Sequence, residues 1–327
     1  DDQHDAQTGA LDGAADGAAL TSDDGAVPTE PSDDTTTTAA ADTSTSGQGD
    51  DRPSVPPVVL DLGTVPDAPM YEALGCQGID FLFVVDNSGS MSAQQTQLLN
   101  SFPGFITGIE DSLENVDSYH VGVITSDNYA GNEPGCNSLG DLVTQTAGFN
   151  SSDAVCGPFA DGLRYATDED DLQSVFPCMA HVGASGSPIE QPVTATIAAL
   201  DPARAVPGGC NEGFLREDAI LVVVLVTDDP PYTFDMDDAH PNTDTTGWYD
   251  AVVAAKGGDV ESIVVIGFVP WMDTTCNGGA SPNLIGFISQ FAGQGVLASI
   301  CEPDYGPVFA STIATIQTTC DNFVPQG

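Results

Sequence analysis

The sequence predicts an α/β fold: a doubly wound, mostly parallel central sheet with helices on both faces. Three observations carry that expectation. Apolar runs alternate with segments of helical periodicity, the pattern of a parallel sheet built from βαβ units. Those runs are continuous, as in strands buried on both faces. Hydrophobic residues make up 41% of the 327, enough for a sizeable core.

Residues 1–56 are rich in Asp, Ala, Gly, Thr, Ser and Pro and are expected to form a disordered acidic tether. Such a composition buries too little apolar area to offset the entropy of ordering. Residues 57–75 follow as a stiffer Pro-rich linker. The globular domain is expected over 76–327, with loop insertions around 130–180 and 229–247.

Ile79–Asp86 (IDFLFVVD) reads as the first buried strand, ending in an acid. Leu98, Leu99, Phe102, Ile106, Ile109 and Leu113 recur at helical spacing, with a break expected at Pro103. Val121–Thr125 reads as a second strand, and Ile189, Val193, Ile197 and Leu200 mark a helix. Ala219–Val226 (AILVVVLV) is the most apolar strand and runs into Thr227-Asp228-Asp229. Ile263–Val269 is a further strand, and helices are expected near 248–257, 283–292 and 306–320. No internal repeat is visible.

The charge excludes several functions. Five Lys+Arg stand against 49 Asp+Glu, a net of −44. Without a basic patch there is nothing to neutralise nucleic-acid phosphates or to seek anionic membranes. The longest apolar run, Ala219–Val226, is far short of the roughly 20 residues that span a bilayer. Residues 1–56 hold 13 acids and one Arg, so −12 of the charge lies there and −32 stays with the other 271 residues. That acidic globular part fits a saline setting, where salt screens like-charge repulsion.

Eight cysteines, at 76, 136, 156, 178, 210, 276, 301 and 320, form no CxxC, and there are only four His. Zinc therefore has little support, and disulfides in an oxidising compartment are the expectation. The chain starts at Asp1 with no visible signal peptide and reads as a processed form.

Phe83–Met91 (FVVDNSGSM) carries the chemistry. It sets Asp86, Ser88 and Ser90 directly after a buried strand, where open parallel sheets bind ligands. A carboxylate and two hydroxyls make a hard, all-oxygen site suited to Mg²⁺, Ca²⁺ or Mn²⁺. Asp228 leaves the end of another strand and could flank the same cation.

Asp86-Asn87-Ser88-Gly89-Ser90, with a strand before it and a helix after it, resembles the DxSxS signature of the von Willebrand factor type A (vWA) domain. Val224–Asp229 (VLVTDD) resembles that family's strand ending in Thr-Asp. The resemblance covers about residues 76–320. It implies a Rossmann-like sheet and a metal-ion-dependent adhesion site holding one divalent cation. Its ligands here would be Asp86, Ser88, Ser90 and Asp228, some through water, and a partner's acidic group would complete the coordination. The family's remaining Thr is missing from the matching stretch Val182–Gln191, where Ser187 is the first candidate and Ser185 the second. Ser187 reads equally as the N-cap of an S-x-x-E capping box with Pro188 at the first helical position. Asp229 falls one place beyond the family pattern. Asp235, Asp237, Asp238 and Asp244 read as a solvated acidic loop that could also take Ca²⁺.

Enzyme signatures are not matched. Asn87 interrupts the Asp-Ser/Thr-Gly of aspartic proteases, Gly183–Ser187 departs from GxSxG, and Lys256 is followed by Gly257, which rules out a phosphate loop. His4, His120, His181 and His240 have no evident nucleophile partner. The chain therefore reads as a secreted or cell-surface binding module, not an enzyme. Its partner would be a protein or surface ligand, and the tether leaves room for a lipid anchor upstream of Asp1. The alternatives are a metal-dependent hydrolase using the same Asp/Ser site, or a structural surface protein whose cation only stabilises the fold.

The ends of a doubly wound domain approach each other, and some vWA domains join them by a disulfide, so Cys76–Cys320 is expected. Cys136–Cys156 and Cys178–Cys210 are expected as local bridges, and Cys276–Cys301 as the remainder.

The −32 outside the first 56 residues makes one prediction. The melting temperature should rise from low salt to 1 M NaCl, where the Debye length falls to about 3 Å. A flat response would refute the saline reading.

Overall fold

The structure is a computed structural model. It describes residues 75–112, 116–228, 244–271 and 280–325. The expected tether and nearly all of the Pro-rich linker lie outside these residues.

Six strands form one sheet. They are β1 (Gly78–Val85), β2 (Ser118–Thr125), β3 (Ala166–Thr167), β4 (Ala219–Val226), β5 (Ile263–Val269) and β6 (Gly295–Ser299). Their order is β3-β2-β1-β4-β5-β6, parallel except for the short β3, which runs antiparallel to β2. Val85 lies level with Thr125 on one side and Val226 on the other, so β1, β2 and β4 end together. The strand order reverses between β1 and β4, and crevices open at the carboxyl ends of such a junction.

Alternate residues of each strand point to opposite faces. Ile79, Phe81, Phe83 and Val85 of β1 face α1 (Ser92–Ser112), α2 (Leu172–Ala180) and α6 (Gly306–Asn322). Leu82 and Val84 face the opposite layer, α3 (Pro192–Ala199), α4 (Thr245–Ala255) and α5 (Pro282–Ser289). The expected doubly wound α/β class is therefore observed.

Several elements differ from the sequence expectation. Pro103 does not break α1, which runs through it. A Pro inside a helix costs about 3 kcal/mol. Here Leu98, Phe102, Phe105, Ile106 and Ile109 are all buried, and each such side chain contributes about 1.5–3 kcal/mol. The helix marked from Ile189 begins only at Pro192, and Ile189 is exposed. Pro favours the first helical position and disfavours helical geometry in the residue before it. The 130–180 region contains β3 and α2. Phe176 of α2 stacks on Phe102, with ring centroids 3.4 Å apart. Asp244, expected in an acidic loop, caps α4 by accepting from Gly247 N at 2.8 Å. Asp229, Asp235, Asp237 and Asp238 lie outside the described residues.

Cys76 is bonded to Cys320 and ties the start of β1 to the end of α6. Closing so long a loop is worth on the order of 4–5 kcal/mol in the chain-entropy model. The two expected local bridges are replaced by Cys136–Cys210 and Cys156–Cys178. The loop before β4 folds back beside the 130s, and α2 packs over the 150s, so the partners are set by which segments meet, at separations of 74 and 22 residues. Cys301 is disulfide-bonded, while Cys276 lies outside the described residues. Three bridges belong to an oxidising environment. Among the described residues no helix is long and apolar enough to cross a membrane.

At the amino-terminal end of the sheet, Asp80 is wholly buried. Arg216 holds it with N and Nε, each 2.7 Å from a carboxylate oxygen. Burial pushes the Asp80 carboxyl up to about 6, against the opposing pull of Arg216. Arg216→Met should strand this carboxylate. Losing one partner of a buried pair costs about 3–5 kcal/mol, and urea unfolding should read that loss. A cost under 1 kcal/mol would refute the role given to the pair.

Candidate functional site

The site begins where β1 stops. Asp86 N still donates to Val226 O at 3.0 Å, so the carboxylate is carried by the end of the ladder. Asp86 is fully buried. Its Oδ1 accepts from Ser88 N at 2.8 Å and from Ser126 Oγ at 3.3 Å. Its Oδ2 accepts from Thr227 Oγ1 at 2.7 Å. The turn after β1 brings Ser88 Oγ to 3.3 Å from Ser90 Oγ and 3.5 Å from Asp228 Oδ1. The structure thus gathers Asp86, Ser88, Ser90 and Asp228, from two neighbouring strand ends, at one point.

Gln95 of α1 fixes the turn. Its Nε2 donates to Asp86 O at 2.9 Å and Gly183 O at 2.7 Å, and its Oε1 accepts from Gly183 N at 3.1 Å. The loop over residues 183–191 is pinned by three further bonds. Gly186 N donates to Asn87 O at 2.7 Å, Ser187 N to Asp127 Oδ2 at 2.6 Å, and Gln191 N to Ser126 O at 2.8 Å. A Cβ at Gly186 would lie 2.5–2.6 Å from the Asn87 amide, so a larger residue there would displace that side chain.

The expected serines of this loop each accept a backbone N–H. Ser187 Oγ accepts from Ile189 N at 3.0 Å, and Ser185 Oγ accepts from Phe149 N at 2.9 Å. Neither has a hydrogen bond to Asp86, Ser88, Ser90 or Asp228. Ser187 is also no helix cap, since α3 starts five residues later. The loop also carries Glu190, a residue only 6% exposed. In the sequence Glu190 read only as part of a capping box. Asp127 was also missed, although it follows β2 much as Asp86 follows β1.

Asp86, Asp127, Glu190 and Asp228 are each at most 9% exposed, and Asp86 and Asp228 both lie against Ser88. The four ion pairs among the described residues use Asp80 twice, Glu133 and Asp141, and none involves Asp86 or Glu190. Burial pushes the Asp86 carboxyl up to about 7. Hydrogen bonds from Ser88 N and Thr227 oppose that shift, and the charges of Glu190 and Asp228 reinforce it. Glu190 is raised by burial first, with Asp228 and Asp127 adding to it.

The donor set fits a hard cation, being carboxylate and hydroxyl oxygen throughout. Asp127 Oδ1 adds to the fit, as a buried acceptor with no hydrogen-bond partner. Among the described residues no three His, Cys, Asp or Glu side chains cluster tightly enough to hold a metal unaided. The serine hydroxyls are therefore integral to the arrangement. His120 Nδ1 is occupied by Phe214 O at 2.7 Å.

Neither a family model nor a curated protein sequence matches the chain. Solved structures similar to it include proximal thread matrix protein 1 from the mussel byssus, at 12% identity and a TM-score of 0.38, covering 75% of this chain and 49% of that one. A von Willebrand factor type A protein from Catenulispora acidiphila is similar at 13% identity and a TM-score of 0.36, covering 74% and 43%. The human COPII-coat protein Sec24c is similar at 13% identity and a TM-score of 0.35, covering 74% and 33%. The chain thus spans 33–49% of the length of these structures.

The raised Asp86 carboxyl makes a pH prediction. Between its ordinary 3.8 and about 7, the native state keeps a proton that the unfolded chain has released. With EDTA present, stability should therefore fall as pH rises through that window. Asp86→Asn mimics the protonated form. It should melt above the wild type at pH 8, with the gap closing towards pH 4. Equal melting points at pH 8 would refute the buried-charge account.

Proposed function

We propose that the protein is a vWA-type module that binds a protein or surface ligand through one divalent cation, Mg²⁺ or Ca²⁺, at the carboxyl ends of β1 and β4. The supporting observation is the convergence of Asp86, Ser88, Ser90 and Asp228 at the strand-order reversal, where Asp86 lies buried with no basic side chain ion-paired to it among the described residues. A carboxylate removed from water needs compensation, and a cation supplies it.

Asp86 and Asp228 would supply charge, and Ser88 and Ser90 hydroxyl ligands. When bound, the cation offers an acidic group on the partner a point of attachment. Thr227, Ser126 and Gln95 hold the Asp86 turn in place, so that little reorganisation accompanies binding. The disulfides support action outside the cytoplasm, on a cell surface or in the extracellular space.

Asp86→Ala should abolish Mg²⁺ and Ca²⁺ binding in calorimetric titration and leave the circular dichroism spectrum unchanged. Binding that survives the substitution would sink the assignment. In a pull-down from the native cell surface, partner capture should be lost in chelator and in Asp86→Ala alike.

A further inference from the structure

We propose that the cavity beside Lys256, at the amino-terminal end of the sheet, binds a small organic monocarboxylate with an apolar body, whose carboxylate pairs with the Lys256 ammonium. This site does not depend on the cation reading above and lies at the other end of β4.

The cavity measures about 540 Å³, a size usual for small-molecule sites. It lies between the carboxyl ends of α3 and α4 and the loop that leads into β4. Leu200, Phe214 and Leu215 give it apolar walls, and Arg216, Glu217 and Lys256 are its charged lining residues. Arg216 is already engaged. Its N and Nε hold Asp80, and its remaining nitrogens donate to Ser118 Oγ at 2.6 Å and Ile79 O at 3.2 Å.

Lys256 differs. It is the only lysine of the chain and is 7% exposed. Its Nζ donates to Arg216 O at 2.6 Å and to Ala219 O at 2.7 Å. Both acceptors are neutral, and an ammonium has a third hydrogen to give. None of the ion pairs among the described residues involves Lys256, although the chain holds 49 acids. A buried charge is costly unless it is paired. Burial accordingly pulls the Lys256 pKa down, and Asp80, Asp259 and Asp218 oppose that pull from beyond ion-pairing distance. A carboxylate in the cavity would supply both the missing acceptor and the missing charge, while the apolar walls take its hydrocarbon body. Glu217 is exposed and repels a second negative charge, which favours a monocarboxylate.

The test is calorimetric titration of the full chain with hexanoate, benzoate, adipate and the neutral 1-hexanol, for wild type, Lys256→Met and Ala205→Trp. Hexanoate or benzoate should bind the wild type about tenfold more tightly than 1-hexanol, the worth of one charge-assisted hydrogen bond, and adipate should bind more weakly than hexanoate. Lys256→Met should remove the preference for hexanoate over 1-hexanol, a ratio that a merely structural lysine would not move. Ala205 is exposed and lines the cavity without bonding to Lys256, so Ala205→Trp should fill the space and abolish binding even where Lys256→Met fails to fold. The inference is overturned if neither carboxylate binds, if 1-hexanol or adipate binds as tightly as hexanoate, or if carboxylate binding survives either substitution unchanged.

Discussion

The structure turns on a carboxylate buried where the central strand ends. Asp86 sits in the middle of a parallel sheet, where a charge cannot reach bulk water. Its oxygens must be met by the protein, and the surrounding loops are arranged to meet them. Ser88 from its own turn, Ser126 after β2 and Thr227 after β4 all donate to it. The register that ends β1, β2 and β4 level with one another makes this possible. A shift of one strand would carry a donor away and leave the carboxylate unsatisfied.

The basic side chains among the described residues stand elsewhere. Arg216 binds Asp80 near the amino-terminal end of the sheet, and Lys256 donates to Arg216 O and Ala219 O close by. Arg164 pairs with Glu133 and Arg204 with Asp141, in the loops before β3 and β4. One end of the sheet thus neutralises its acid internally. The other sets Asp86 and Asp228 against a serine, with Asp86 ion-paired to no basic side chain among the described residues. That separation of charge, more than the overall acidity, distinguishes the site from a solvated acidic surface.

The irregular region over 130–180 is ordered by different means. Cys136–Cys210 and Cys156–Cys178 fasten it to the loop before β4 and to α2. Asn132 bonds to Cys136 O and Leu142 O through its amide nitrogen, and Tyr129 donates to Val182 O at 2.8 Å. Cross-links and side-chain bonds to backbone thus substitute for regular structure beneath the 183–191 loop, and so stiffen the ground on which it rests.

The sequence by itself determined the sheet and half of the site. Continuous apolar runs such as Ala219–Val226 identify buried strands because their length and their β-branched Val and Ile suit a strand covered on both faces. Asp86, Ser88 and Ser90 are legible because one turn holds all three, and Asp228 because it ends a second strand. What the tertiary structure alone decided depends on contacts between distant segments. The short β3 and β6 are too brief for a periodic signal, and α1 survives Pro103 because its burial is supplied by β1, α2 and α6. Disulfide partners follow from which loops meet in space, so proximity in sequence misleads for Cys136 and Cys156. Ser187 reads as a possible helix cap for the same reason, although α3 starts only at Pro192. What the loop presents depends on where it comes to rest, and that is set by bonds to Asn87 O, Ser126 O and the Asp127 carboxylate, contacts between segments far apart in the sequence.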